Sequence, residues 1–114
     1  MVDCLFCRMV AGEVPATVVH DDEQTFAFRD INPQAPTHVL VIPKAHHPDI
    51  GALAAADDGL LGALHRAAAA VADREGLAAD GWRLVFNTGA GAGQSVFHVH
   101  GHVLGGRKFG WPPG

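Results

Sequence analysis

Three histidines alternate with apolar residues or glycine in the segment from Ser95 to Leu104. Strict alternation with β-branched neighbours predicts a β-strand. Because residues two apart on a strand share one face, we expect His98, His100 and His102 to form a row. Neighbours in the row would lie roughly 6.6 Å apart along the backbone, and the outer two roughly 13 Å apart. A Zn²⁺ ion holds its nitrogen ligands at about 2.0 Å, so one ion could take one or two of these histidines but not all three.

A histidine row of this kind offers nucleophilic chemistry. An imidazole is largely unprotonated near neutral pH, and its nitrogen can form a covalent intermediate and later act as a leaving group. The alternative is an exposed or tag-like cluster, which chance would produce in about 4 % of chains with this histidine content. We therefore interpret the row as a candidate catalytic centre.

A glycine-rich segment directly precedes the histidine row. It runs from Thr88 to Ser95 and contains Gly89, Gly91 and Gly93. Glycines allow successive backbone N–H groups to turn inward and surround an anion. The segment lacks the Lys-Ser/Thr ending of the Walker type, and a flexible hairpin loop is the common alternative. Its position before the histidine row favours a phosphate-binding loop.

Two cysteines, Cys4 and Cys7, are spaced C-x-x-C near the amino terminus. On a short helix both thiols would face the same way. A redox pair normally follows a strand, and no strand is predicted before this segment. Two buried structural cysteines are the ordinary alternative. The third alternative is half of a Cys₂His₂ zinc site, which would need two histidines from elsewhere in the chain. His46 and His47 are candidates.

A carboxylate and a further histidine flank a proline-containing loop. Asp30 follows a predicted strand, where it could close an Asx-turn or accept hydrogen bonds from a ribose diol. His38 begins the next strand, where a packed and hydrogen-bonded histidine is more common than a catalyst.

The remaining pattern predicts the elements that position these residues. Four further strands are predicted, at residues 17–20, 25–30, 38–43 and 82–87. The strand at 38–43 is apolar almost throughout, which is typical of a central position in the sheet. A brief helical turn is predicted from Ile50 to Leu53, and a long helix from about Asp57 to Glu75. The long helix carries an apolar stripe formed by Leu60, Leu61, Leu64, Ala68 and Val71.

Composition limits the class of protein. The chain has 114 residues, of which 48 % are hydrophobic and 18 % charged, and this predicts one domain spanning residues 1–114. A net charge of −4 provides no basic surface for nucleic acid. Since no signal segment or long apolar run is present, we expect a cytoplasmic protein without membrane contact. Two cysteines are too few for the disulfide framework of a small secreted protein.

Together these segments resemble the histidine triad (HIT) family of nucleotide-binding hydrolases, in its Hint branch. The matching segments are Phe28 to His38, Val41 to Lys44 with a following histidine, Asn87, Gly93 to Val96, His98 to Leu104, Gly105 to Arg107 and Trp111 to Gly114. The resemblance implies an α+β, HIT-like fold with a five-stranded antiparallel sheet, one long helix and a short N-terminal helix. It also implies a homodimer.

The resemblance implies an activity as well. It is hydrolysis of purine nucleoside 5′-phosphoramidates, of the adenosine 5′-monophosphoramidase type, through a covalent nucleotidyl-histidine intermediate. On that pattern His100 attacks the α-phosphorus and His102 holds phosphate oxygens, while His38 supports the row from the neighbouring strand. Ser95 and Asn87 would donate hydrogen bonds near the phosphate and the leaving group.

The same resemblance implies the substrate-binding residues. Asp30 would bind the ribose hydroxyls, with Phe28 and Ile31 near the base of a purine nucleotide such as AMP or GMP. The phosphate loop would include Gly93 and Gln94. The tail would reach the partner's site, where Trp111 helps to select the amine that is released.

Bacterial-type members of this branch carry the cysteine pair and hold a structural zinc. Carried over, the ligands are Cys4, Cys7, His46 and His98, with His47 as the alternative to His46. His98 would then be a structural ligand rather than part of proton transfer. Two other functions stay open at this point, a nucleotide-binding regulatory module with little turnover and a metal-dependent hydrolase, although the strand spacing counts against the second.

Overall fold

The computed structural model describes residues 3–114, which form one β-sheet and three α-helices. In chain order the elements are α1 (Leu5–Val10), β1 (Val18–Asp21), β2 (Thr25–Arg29), β3 (Thr37–Pro43), α2 (Ile50–Ala56), α3 (Asp58–Arg74), β4 (Trp82–Phe86) and β5 (Gly101–Gly105), with a short 3₁₀ turn at Ala90–Ala92 between β4 and β5. The five strands form one antiparallel sheet in the order β1-β2-β3-β5-β4. The predicted sheet, long helix and short N-terminal helix are therefore confirmed.

The two faces of the sheet carry separate apolar clusters. On one face α3 packs Leu64, Ala68 and Val71 against Val39 and Val103 of the central strands. The opposite face holds a smaller cluster of residues from α1, β2 and β3, namely Cys4, Phe6, Phe26, Phe28, Leu40 and Ile42. All seven residues of β3 are buried, which agrees with the central position predicted for that strand.

The histidine segment differs from the prediction, because β5 begins only at Gly101. His98 and His100 precede the strand, so the expectation that all three histidines share one strand is wrong. The ladder to β3 stops where Gly101 pairs with Val41. Farther along β3, Pro43 has no backbone N–H to offer, and its carbonyl accepts a hydrogen bond from the His98 ring instead.

The alternation of faces nevertheless extends beyond the strand. Val99 and Val103 are buried in the cluster beneath α3. The rings of His98 and His100 lie on the opposite face, where each contacts the edge of Phe6. The segment before β5 is held by the backbone N–H of Val99, which donates to the carbonyl of His47 at 2.7 Å.

The region between β3 and β4 contains two consecutive helices rather than one helix after a brief turn. Asp49 caps α2 by accepting from the backbone N–H of Ala52 at 2.8 Å. Asp57 ends α2 and also caps α3, since its carboxylate accepts from Leu60 N–H at 3.0 Å. Within residues 3–114, the length and hydropathy of the helices do not suit any of them to span a membrane.

Close packing explains the glycine between His100 and His102. A Cβ atom on Gly101 would lie 2.8 Å from Leu84 Cδ1 and 2.9 Å from Phe86 Cζ. Two β4 side chains therefore cross the backbone of β5 at this point, and only glycine leaves them room. This packing fixes the position of β5 immediately beside the histidines.

Candidate functional site

Four histidines lie side by side on the face of the sheet that carries α1. His102 is on β5 and His38 is on the adjacent β3. The Nδ1 atom of His102 lies 2.9 Å from the Nε2 atom of His38. The ring centroids of His100 and His102 are 5.0 Å apart. His98 completes the group and is fully buried, with 0 % of its surface exposed. Residues distant in the sequence thus form one continuous row of imidazoles.

Hydrogen bonds fix which nitrogen carries the proton in two of these rings. The backbone N–H of Gln34 donates to His38 Nδ1 at 3.0 Å. Because an N–H can only donate, Nδ1 is the unprotonated nitrogen, and neutral His38 carries its proton on Nε2. That proton is donated to His102 Nδ1. Neutral His102 in turn carries its proton on Nε2, which is buried without a hydrogen-bond partner among the described residues.

His100 has the opposite tautomer. Its Nδ1 donates to the backbone carbonyl of His98 at 2.9 Å, so its proton lies on Nδ1 and the lone pair lies on Nε2. The ring is also supported by the edge of Phe6, at a centroid distance of 5.1 Å. The site therefore presents one unprotonated nitrogen on His100 beside one N–H donor on His102. This pair suits nucleophilic attack on a centre that develops negative charge.

Burial lowers the pKa of two histidines in the row, His102 and His38. Burial, reinforced by the neighbouring His100 and His38, lowers the pKa of His102 from 6.5 to about 4. Burial also lowers the pKa of His38, although the Asp30 carboxylate opposes the change. At neutral pH the N–H of His102 is thus offered by a neutral imidazole.

A second cluster lies at the other end of the row. Cys4 Sγ and Cys7 Sγ are 3.4 Å and 3.5 Å from His98 Nδ1, and His46 Nδ1 is 3.2 Å from the same atom. All four potential ligand atoms lie within 4.8 Å of one another. His98 donates its Nε2 proton to the Pro43 carbonyl at 2.8 Å, which leaves the Nδ1 lone pair directed at the cluster.

These separations fit a zinc ion. A tetrahedral Zn²⁺ with ordinary bond lengths places two nitrogens about 3.3 Å apart and a nitrogen and a sulfur about 3.6 Å apart. Burial, together with Cys4, raises the pKa of the Cys7 thiol to about 11, so a cation is needed to hold the Cys7 sulfur as a thiolate. His46 joins the cluster and His47 does not. The backbone carbonyl of His47 accepts a hydrogen bond from Val99 N–H.

An apolar cavity of about 400 Å³ opens on the same face, beside the histidine row. Its lining includes Phe28, Asp30 and Ile31, which were the predicted nucleoside-binding residues, and Leu5, Phe6 and Met9 of α1. Phe6 contacts both Phe28 and His100, with centroid distances of 5.3 Å and 5.1 Å. One aromatic ring therefore connects the wall of the cavity to the candidate nucleophile.

Asp30 takes part in two contacts within this region. Its Oδ1 accepts from the backbone N–H of Asn32 at 2.8 Å, which is the Asx-turn considered from the sequence. Its Oδ2 lies 3.4 Å from His38 Nε2. The carboxylate consequently holds the loop in place and also faces the cavity.

The family model for the HIT domain matches residues 11–109. The chain belongs to the HIT family. This confirms the family that the sequence motifs predicted. The matched range includes the histidine row and part of the lining of the adjoining cavity.

Relatives and solved structures cover nearly the whole of this HIT protein. The purine nucleoside phosphoramidase of Escherichia coli K12 is 43 % identical over 108 residues, covering 95 % of this chain and 91 % of that protein. A 14 kDa zinc-binding protein of Zea mays is 50 % identical over 113 residues, covering 96 % and 87 %. The crystal structure of a HIT family hydrolase from Legionella pneumophila has a TM-score of 0.94 at 52 % identity, covering 98 % of this chain and 100 % of that one.

In this HIT protein the glycine-rich loop is held from within by Gln94. Its buried side chain accepts from Gly89 N–H and donates to the carbonyls of Pro48 and Val96. Gly89 and Gly93 adopt positive φ angles of 83° and 96°, which only glycine adopts easily. The amide of Gln94 is thus used in shaping the loop.

The other residues predicted from the family lie nearer the surface. Ser95 is exposed and lines a cavity of about 430 Å³ together with Cys4 and His46. Asn87 and Trp111 line another cavity, of about 540 Å³, formed between β4 and the tail. Trp111 is 84 % exposed, and Ile31 is fully exposed. Their roles toward a substrate stay predictions.

Sequence reasoning missed two contributors to the site. Phe6 contacts His98, His100 and Phe28, and its position between the two cysteines on α1 was an available signal. Gln34 acts on His38 through its backbone N–H, which every residue other than proline possesses. No residue pattern could have pointed to it.

Proposed function

We propose that this HIT-family protein hydrolyses purine nucleoside 5′-phosphoramidates through a covalent nucleotidyl intermediate on His100. The observation that carries the proposal is the pair of opposite tautomers in the row. His100 offers an unprotonated Nε2, and His102 offers an unpaired Nε2–H beside it. The phosphoramidase relative from Escherichia coli supports the choice of the bond that is broken.

In the first step, His100 Nε2 attacks the α-phosphorus and the phosphorus–nitrogen bond breaks. The amine leaves with the electron pair of that bond and takes a proton from solvent. The imidazole ring gains positive charge as its second nitrogen becomes substituted. The hydrogen bond from Nδ1 to the His98 carbonyl, 2.9 Å long, stabilises this charge.

In the second step, water attacks the phosphorus and releases the nucleoside monophosphate, one proton and free His100. In both steps negative charge develops on the nonbridging oxygens. His102 Nε2–H donates to one of them, while His38 holds His102 in the required tautomer. Two displacements of this kind replace one direct displacement by water.

The nucleoside is placed in the cavity beside α1. Its wall is largely apolar, and its volume of about 400 Å³ suits a purine base with its ribose. Asp30 Oδ2 would accept from the ribose hydroxyls, with Phe28 and Ile31 beside the base. On the phosphate side, Asn87, Gly93, Gln94 and Ser95 belong to the proposal through the family motif.

We also propose a structural zinc on Cys4, Cys7, His46 and His98. When bound, the ion supplies a cross-link between α1, the loop after β3 and the segment before β5. The zinc-binding relative from Zea mays supports this choice of metal. His98 then serves as a ligand, and its carbonyl orients His100.

The wider proposal concerns assembly and setting. We place the function in one HIT domain over residues 1–114 that works as a cytoplasmic homodimer. β4 lies at the edge of the sheet with every residue only half-buried. Trp111 is largely exposed. Both features support a partner at this edge, with Trp111 contributing to amine selection in the partner's site.

The test is detection of the intermediate. Protein is mixed with adenosine 5′-phosphoramidate, quenched in milliseconds and analysed by mass spectrometry for a nucleotidyl adduct. We expect the adduct in the wild type and its loss, with turnover, in His100→Ala. His65→Ala is the matched control, because His65 lies outside the row and contacts Phe86 instead, at a centroid distance of 5.6 Å.

An adduct that survives in His100→Ala would refute the assignment of the nucleophile. Nucleotide binding without any turnover in the wild type would instead favour the regulatory module over the enzyme. Comparison of adenosine and guanosine phosphoramidates in the same assay measures the base preference.

A further inference from the structure

The segment that follows β5 returns to the loop between β2 and β3. Arg107 Nε donates to the backbone carbonyl of Gln34 at 3.1 Å. Next to it, Gly106 lies so close to Pro36 that a Cβ on the glycine would be 2.8 Å from the Pro36 Cβ. The loop that carries Gln34 is thus held by the segment that directly follows the strand carrying His102.

Few other contacts fix the backbone of Gln34. Pro33 and Pro36 have no backbone N–H and cannot donate to a ladder. Among residues 3–114, the Gln34 side chain donates a hydrogen bond only to the nearby Asn32 carbonyl, at 3.1 Å. Apart from the hydrogen bond to His38, Arg107 is therefore the contact that joins Gln34 to the rest of the structure, through the segment that follows β5.

Arg107 is itself held in place by the tail. Its guanidinium lies over the ring of Phe109, with Cζ 4.3 Å from the centroid, and Arg83 lies over the same ring at 5.1 Å. Arg83 also donates to the carbonyl of Gly110. These contacts orient the guanidinium although the residue is exposed to solvent.

We propose that Arg107 is a positioning residue that fixes the tautomers of His38 and His102 through the backbone of Gln34, whose carbonyl and N–H lie on either side of one Cα atom. The proposal rests on the proposed function, in which His102 donates its Nε2–H to the phosphate. Arg107 holds the Gln34 carbonyl, and the N–H of the same residue then points at His38 Nδ1.

The reason lies in the alternative arrangement of protons. If the Gln34 N–H turns away, His38 Nδ1 becomes free to carry the proton and Nε2 becomes an acceptor. His102 must then donate from Nδ1 to keep the 2.9 Å contact, and its Nε2 becomes a lone pair. A lone pair directed at a phosphate oxygen repels it. The Gln34 N–H and the Asp30 carboxylate, whose Oδ2 lies 3.4 Å from His38 Nε2, therefore act together to hold the form that attracts the phosphate.

The experiment uses the zinc-loaded full chain, labelled with ¹⁵N-histidine, in Arg107→Met, Arg107→Lys and Lys108→Met. Imidazole ¹⁵N shifts distinguish a protonated from an unprotonated ring nitrogen without any nucleotide. We expect a protonated Nε2 on His102 in the wild type and in Lys108→Met. Arg107→Met should shift a large part of the population to the Nδ1–H form, and Arg107→Lys should restore the original form because it keeps a cationic donor.

Turnover of adenosine 5′-phosphoramidate provides the second measurement. In Arg107→Met we expect kcat to fall roughly ten- to a hundredfold, with KM changed less than about twofold, since a transition-state donor is lost and not a nucleotide contact. Lys108→Met should leave both values at the wild-type level.

A further pair of variants tests the Gln34 backbone N–H directly. Gln34→Pro deletes the backbone N–H, whereas Gln34→Ala keeps it and should retain the wild-type tautomer. Unchanged His102 shifts in Arg107→Met would overturn the proposal, whatever the Tm of that variant and whatever Gln34→Pro shows. The ¹⁵N spectra need no turnover. They therefore test the role of Arg107 even if the protein does not hydrolyse phosphoramidates.

Discussion

The buried position of His102 predicts how the stability of the protein depends on pH. The pKa of His102 falls to about 4 in the folded protein because of burial and the adjacent histidines. In the unfolded chain it returns to about 6.5, the ordinary histidine value. Between these values the unfolded state binds more protons than the folded state. The free energy of unfolding therefore falls as the pH is lowered from 6.5 to 4, and this contribution is constant above 6.5.

The size of the effect follows from the two pKa values. At pH 5 an unfolded histidine is almost fully protonated, whereas about one tenth of His102 is protonated in the folded protein. The difference corresponds to about 2 kcal/mol of unfolding free energy lost between pH 8 and pH 5. His102→Asn lacks this titration but keeps a side-chain oxygen that can accept from His38 Nε2.

The assay is urea denaturation of the wild type and His102→Asn, both saturated with zinc, at intervals from pH 8 to pH 5. Other titrating groups, including the metal ligands, are common to both proteins and cancel in the comparison. We expect the advantage of the wild type over the variant to shrink by about 2 kcal/mol across this range. Parallel curves for the two proteins would refute a depressed pKa at His102.

Three further predictions concern the metal cluster, the sheet and the tail. Elemental analysis should find one zinc per chain in the wild type and a loss of zinc, with a lower Tm, in Cys4→Ser and Cys7→Ser; zinc retained by both variants would contradict the cluster. Gly101→Ala should reduce the free energy of unfolding in urea by about 1–3 kcal/mol through overpacking, while Gly110→Ala, which meets no atom within 4 Å, should be nearly neutral. Trp111→Ala should alter kcat/KM among amine leaving groups on one nucleotide more than it alters nucleotide affinity, and an equal fall for all amines would exclude that selectivity.

Local patterns in the sequence predicted most of the elements to within a residue. Alternation located the strands, and the acidic start and apolar stripe located α3. The start of β5 was not predictable in this way. It depends on Pro43 of a different strand, whose missing N–H ends the ladder and whose carbonyl binds His98.

The candidate site was predictable to a similar degree. Side-chain types identified the histidines and the cysteine pair, but the sequence could not separate His46 from His47, because that choice depends on the path of the loop after β3. The proton positions were also beyond the sequence. They follow from backbone groups of Gln34 and His98, and backbone groups are the same in nearly all residues.

Helix α1 has only six residues, from Leu5 to Val10, and a helix of this length is not stable by itself in water. Cys4 at its N-cap and Cys7 within it belong to the proposed zinc site, while Leu5, Phe6 and Met9 form part of the cavity wall. A metal and a nucleotide that each bind to the ordered form of α1 are thermodynamically linked. If the proposed zinc and nucleotide both bind this ordered form, occupation of either site increases affinity at the other by the same factor, and zinc loading is expected to lower the nucleotide concentration needed for half-saturation.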